Sequence, residues 1–121
     1  MLSQTMSAST AGAVVVDDEQ ASRFELRVDG ELAGVAEYRR RPGLIAFTHT
    51  QVDPRFEGQG LGARLVATAL RRCREAGMAV LPFCPFVRAY IASHPAELDL
   101  VPPERRAAFD LPAEAPPARR F

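Results

Sequence analysis

Hydrophobic and polar side chains alternate from Arg23 to Val28, with Phe24, Leu26 and Val28 set against Arg23, Glu25 and Arg27. A period of two marks a strand buried on one face. Asp29-Gly30 follows, a strong signal for a tight hairpin turn. Residues 31–39 then read as the return strand, with Leu32, Ala36 and Tyr38 expected on one face and Val35 and Glu37 on the other. The run Arg39-Arg40-Arg41-Pro42-Gly43 is expected to form the next turn. Residues 44–52 begin apolar at every position, as a central strand covered on both faces does. The period then changes. Leu61, Leu65, Ala69 and Cys73 recur at every fourth position with Val66 and Leu70 beside them, while Arg64, Arg71, Arg72, Arg74 and Glu75 fall mostly elsewhere. This predicts an amphipathic helix over about 60–76, with Gly77 suited to its C-terminal cap. Residues 79–83 form a short unbroken apolar run, the pattern of a buried strand. A short helix is expected next, with Cys84 at its cap, Pro85 at its first position and His94-Pro95 at its end.

These elements predict an α/β (α+β) fold: a three-stranded antiparallel meander, a helix, a parallel strand and a short C-terminal helix. A helix between two strands implies a right-handed crossover, which makes the last strand parallel to residues 44–52. Three segments are expected. Residues 1–21 form a flexible arm whose Ala13, Val14, Val15 and Val16 can add weakly to a sheet edge, residues 22–101 form the domain, and residues 102–121 form a Pro-rich flexible tail.

Composition narrows the function. The 15 basic and 15 acidic residues cancel over 121 positions, so no global field marks the chain for nucleic acid or a membrane surface. Every basic residue is Arg; the absence of Lys excludes Schiff-base chemistry, a Walker-type phosphate lysine and a lysine general base. Two cysteines make no disulfide framework, and no apolar run has the length of a signal peptide or a membrane span. A cytoplasmic protein, monomeric or weakly dimeric, is the expectation.

The most informative stretch joins the central strand to the long helix: Val-Asp-Pro-Arg-Phe-Glu-Gly-Gln-Gly-Leu-Gly-Ala-Arg-Leu, with Gly58, Gly60 and Gly62 at alternate positions. Glycines there let the backbone approach a ligand, and the helix N-terminus offers free N–H groups and a positive dipole end to an anion. A tight turn without a ligand needs only one glycine, so three favour a phosphate site. Gly58-x-Gly60-x-x-Ala63 also matches the dinucleotide fingerprint, but five residues separate it from the strand and no acidic residue lies about twenty positions on.

With His49-Thr50-x-Val52 before it and Cys84-Pro85-x-Val87-x-x-x-Ile91-x-x-His94-Pro95 after it, the motif Glu57-Gly58-Gln59-Gly60-Leu61-Gly62 resembles a small, single-domain branch of the GNAT N-acetyltransferase superfamily. The resemblance runs from Phe24 to Val101. It implies that acetyl-CoA wedges between two splayed parallel strands. Its pantetheine arm would lie along Thr50, Gln51 and Val52, and its pyrophosphate on the N–H groups of Gly58, Gln59, Gly60, Leu61, Gly62 and Ala63. Two departures stand out: Glu57 occupies a position where Arg or Gln is usual, and the two helices that wall the acceptor site in larger relatives are replaced by the Asp29-Gly30 hairpin.

Cys84, at a helix N-terminus that favours thiolate, is by this resemblance either an acetyl acceptor or a group beside the thioester; read as a residue alone it is equally a small buried hydrophobe. Cys73, on the apolar stripe, reads as core. His49 is a candidate base, since imidazole titrates near neutrality, or a structural histidine. Tyr90 could give a proton to the departing CoA thiolate, as a Tyr does in many superfamily members, or simply pack. Glu37 is a third candidate base. Arg55, Arg64 and Arg88 flank the turn and last helix and could meet phosphates or be solvated. His49, His94, Cys73 and Cys84 have no metal-ligand spacing, and no metal is expected. Two functions follow: an acetyl-CoA-dependent N-acetyltransferase acting on a small-molecule or peptide amine, directly or through acetyl-Cys84, and a non-catalytic CoA or acyl-CoA sensor or adaptor.

Overall fold

The computed structural model describes residues 12–114. Strands β1 (Ala13–Asp18), β2 (Arg23–Val28), β3 (Glu31–Arg41), β4 (Leu44–Val52) and β5 (Ala79–Pro82) form one sheet in sequence order. Helix α1 (Leu61–Glu75) links β4 to β5, and α2 (Pro85–Ser93) follows β5. The first three pairings are antiparallel and β4–β5 is parallel, as the crossover requires. The expected α/β class stands, enlarged by one strand.

That strand is β1, drawn from the expected arm. Its β-branched Val14, Val15 and Val16 favour extended chain, and distant groups fix it. The Tyr38 hydroxyl donates to Asp17 Oδ1 at 2.5 Å, and the α1 guanidiniums of Arg64 and Arg72 donate to the edge-facing carbonyls of Ala13 and Val15. The first two strands are therefore β1 and β2, joined by the turn in which the Ser22 N–H donates to Glu19 O; the Asp29-Gly30 hairpin joins the second and third. The rest of the expected arm, residues 1–11, lies outside the described residues. The expected tail is also corrected at its start. Arg106 is buried and donates to Val101 O and Ala113 O, and Phe109 packs edge-on against Phe83 with 5.1 Å between centroids. Residues 115–121 lie outside the described residues.

Two bulges reset the alternation. Leu26 pairs with Gly34 but Arg27 pairs with Leu32, so Ala33 is an extra residue that moves Leu32 to the face of Val35 and Glu37, opposite to the expectation. On β4, Tyr38 pairs with Phe47 and Glu37 with His49, leaving Thr48 extra. Arg39, Arg40 and Arg41 are not a turn: they pair with Ala46, Ile45 and Leu44, and Pro42-Gly43 alone makes the reversal.

The inner sheet face carries the core. Phe24, Leu26, Ala36, Ile45, Phe47 and Val80 are buried with Leu61, Leu65, Val66, Ala69, Leu70 and Cys73 of α1 and Val87 and Ile91 of α2. Phe24, Tyr38 and Phe47 meet in tilted and edge-on pairs with centroids 5.4 to 6.3 Å apart, each ring removal worth about 3–5 kcal/mol. Both helices pack on this face, and over β3 and β4 the other face carries the half-buried Glu37 and the exposed Arg39, Arg41, His49 and Gln51.

Candidate functional site

Pairing between β4 and β5 ends at Phe47 and Pro82, and the last tie across the gap is the Cys84 N–H donating to Phe47 O at 2.9 Å. Beyond it β4 runs on to Val52 while the chain after β5 turns into α2. The strands part, and a cleft of about 610 Å³ opens on the helix side. Thr50, Gln51 and Val52 form one wall; Phe56, Glu57 and Gly58 of the connection, the α1 start (Gly60, Leu61, Gly62 and Ala63) and Phe86 of α2 form the rest.

Two of the three glycines serve conformation. Gly58 has φ +82° and Gly60 φ +72°, left-handed values that cost a side-chain-bearing residue about 1 kcal/mol or more. Gly60 is also the α1 N-cap and brings no side chain to the first turn, so the leading N–H groups face the cleft without a capping partner. Gly62 has another reason: a Cβ there would stand 2.8 Å from Phe86 Cζ and 3.3 Å from Val52 Cγ2. The cleft is thus narrowed to the width that a bare α-carbon allows.

The predicted cofactor residues come together on this wall with one exception among those of the turn, since Gln59 is exposed and does not line it. The flanking arginines turn elsewhere. Arg64 reaches Ala13 O, Arg88 donates to Phe83 O at 3.0 Å, and Arg55 pairs with Asp53 and Glu31. An anion in the cleft would rest on backbone N–H groups and the helix dipole, with the Glu57 carboxylate at the rim opposing it.

The three candidate catalytic side chains are not together. Cys84 is 3 % exposed, and its thiol donates to Thr50 Oγ1 at 3.2 Å, which places sulfur against the cleft wall. The Thr48 bulge puts His49 on the opposite sheet face, where its Nε2 lies 3.2 Å from Gln51 Oε1 and its register partner is Glu37. Tyr90 stacks on His94 at 3.9 Å near the C-terminal end of α2, and burial, then the nearby Glu97 carboxylate, raises its pKa above the ordinary value. Cys73 sits in the core, its thiol pushed up to about 12 by burial. Sequence reasoning missed Phe56 and Phe86; an apolar residue inside the polar run Pro54-Arg55-Phe56-Glu57 was a readable signal for the first. Among the described residues, no group of three His, Cys, Asp or Glu side chains could hold a metal, and no helix is long and apolar enough to cross a membrane.

A family model described as GCN5-related N-acetyl-transferase matches residues 23–100. The chain belongs to that family. A GCN5-related N-acetyl-transferase domain spans β2 to the segment after α2, so the parted strands, the glycine turn and Cys84 all fall inside the match, while β1 precedes it. Similar solved structures include Ard1 from Thermoplasma volcanium, at 28% identity over 49% of this chain and 41% of that one, TM-score 0.43. The ribosomal-protein-S18-alanine N-acetyltransferase from Escherichia coli is 24% identical over 65% of this chain and 48% of that one, TM-score 0.46. N-acetylglutamate synthase from Neisseria gonorrhoeae, solved with coenzyme A and N-acetyl-glutamate, is 17% identical over 68% of this chain and 23% of that one, TM-score 0.45. This GCN5-related chain thus spans less than half the length of each. A search of curated proteins finds no match.

Proposed function

We propose that this family member is an acetyl-CoA-dependent N-acetyltransferase that moves the acetyl group directly to an amine. The observation that carries the proposal is the cleft itself, where two parallel strands part beside a side-chain-free helix start. Its volume suits a cofactor-sized ligand, and the family membership supports the thioester as that ligand. Backbone N–H groups of Gly58, Gly60, Leu61, Gly62 and Ala63 would receive the pyrophosphate. Thr50, Gln51 and Val52 would hold the pantetheine arm and polarise the thioester carbonyl, the electrostatic contribution that such donors make to acyl transfer. The amine nitrogen attacks the carbonyl carbon, the C–S bond breaks, the CoA thiolate leaves with a proton, and the nitrogen loses one to a base. His49 and Glu37, adjacent on the open sheet face, are the candidate bases.

Direct transfer is favoured over an acetyl-Cys84 intermediate because the thiol is buried and already donates to the Thr50 hydroxyl. Cys84 is then a wall group beside the thioester. A CoA-binding module without turnover is the second reading, favoured by the separation of Cys84, His49 and Tyr90 in the fold.

Calorimetry with CoA and acetyl-CoA tests the cleft, and absence of heat at millimolar ligand rejects both readings. Transfer to a panel of amines separates them. Intact-mass spectrometry after incubation with acetyl-CoA is expected to find no stable acetyl adduct, and Cys84→Ala to keep at least a tenth of wild-type transfer, roughly what loss of packing beside a bound group allows. An adduct that vanishes in Cys84→Ala together with all transfer would establish the covalent route instead.

A further inference from the structure

A second concavity, of about 460 Å³, lies where the β1–β2 turn meets the end of β3, lined by Ser22, Thr48 and the whole run from Glu37 to Arg41. Glu37, Arg39 and Arg41 leave the same face of β3 at every second position, so their stems stand about 7 Å apart in a row. None of these three side chains has a hydrogen bond or ion pair among the described residues. Their neighbours are committed: Arg40, on the other face, pairs with Asp17 and Glu19, and Arg23, opposite Glu37 in register, pairs with Glu25. The row also has a direction. Glu37 stands beside His49 and one residue from the Ala36–Thr50 pair, whose threonine lines the cleft, while Arg41 lies at the far end beside Leu44. Thr48 lines the concavity and Thr50, two residues on in β4, lines the cleft.

We propose that this concavity receives the acceptor, and that the acceptor is an amine bearing a carboxylate or phosphate some 7–13 Å from its nitrogen, the span of two to four strand residues. The ammonium end meets Glu37, the member of the row nearest in register to Thr50 of the cleft, and the anion meets Arg39 and Arg41. Guanidinium forks suit both anions, so the class is set by charge and spacing. The inference rests on the acetyltransferase reading for the direction of the molecule, while the binding site itself stands on the row of unpartnered charges.

Three probes of matched length decide it: aminocaproate, hexylamine and hexamethylenediamine, titrated by NMR against the full chain saturated with CoA. Aminocaproate is expected to bind about tenfold tighter than hexylamine, as two partly exposed ion pairs allow, and the diamine more weakly than either. Arg39→Ala with Arg41→Ala is expected to bring aminocaproate and hexylamine together, and Arg39→Glu with Arg41→Glu to reverse the order in favour of the diamine, with melting temperature reporting the fold. A wild type that prefers the diamine, or a double alanine variant that keeps the preference, overturns the proposal. Preference without acetyl transfer would keep the site and reject the transferase reading; transfer without preference would keep the transferase and reject the site.

Discussion

Gly62 separates two kinds of glycine that look alike in sequence. Gly58 and Gly60 are required by positive φ, and Gly62 by the Phe86 ring. Gly62→Ala is expected to leave the fold cooperative but push the ring into the cleft, weakening CoA binding about tenfold by calorimetry, the scale of losing one well-packed contact. Gly60→Ala should instead lower unfolding stability by about 1 kcal/mol in urea titration, because the left-handed cap conformation is strained for alanine. The glycine wall was legible in the sequence because turn chemistry is local. Phe86 was not, since nothing in a sequence says which α-carbon a ring will face. The same holds for Cys84 and Thr50, 34 residues apart and bonded. His49 could be picked as chemically able, but the bulge that decides its face leaves no composition mark.

At the scale of elements, the strands and both helices followed from periodicity, and the errors came where periodicity was interrupted. An extra residue at Ala33 reversed Leu32, and one at Thr48 put His49 on the face opposite Phe47, which unbroken alternation would have made it share, and left Thr50 facing the cleft. β1 was underweighted because its tethers come from distant side chains. Tyr38→Phe removes one of them and is expected to cost about 1 kcal/mol and to speed hydrogen exchange in β1 ahead of β3. The other end is held likewise: Arg74 of α1 donates to Asp99 at 2.8 Å and to Glu97 at 3.1 Å, fastening the 3-10 stretch Pro95–Leu100. Arg74→Met should lower stability by roughly 0.5–1 kcal/mol, a partly exposed network's usual contribution, and expose that stretch to proteolysis first.

For the whole molecule, the buried thiol and phenol set the alkaline limit. Cys73 is held near 12 against an ordinary 9.0 by burial, and Tyr38 is raised above its ordinary 10.0 by burial first and then by Asp17. Both keep protons in the folded chain that the unfolded chain releases. Their contribution is therefore complete below pH 9 and declines as pH rises through 9 and 10 toward the folded values. Melting temperature should fall steadily over that range, and less steeply above 10 in Tyr38→Phe. The acid limb runs the other way: Arg74 holds Asp99 below its ordinary 3.8, so that contribution is present above this value and lost beneath it, and with the side chain 65 % exposed it is small.

The guanidiniums of Arg64 and Arg72 on the carbonyls of Ala13 and Val15 bear on how this chain behaves among copies of itself. A terminal strand with vacant acceptors is a template on which another chain can extend the sheet. Here two of the acceptors on that border, the carbonyls of Ala13 and Val15, have donors from the chain's own helix, and those donors bring positive charge to the border. With Val14 and Val16 exposed beside it, β1 without these two arginines would be a short apolar strand open to strangers; with them, the sheet ends where the chain ends it.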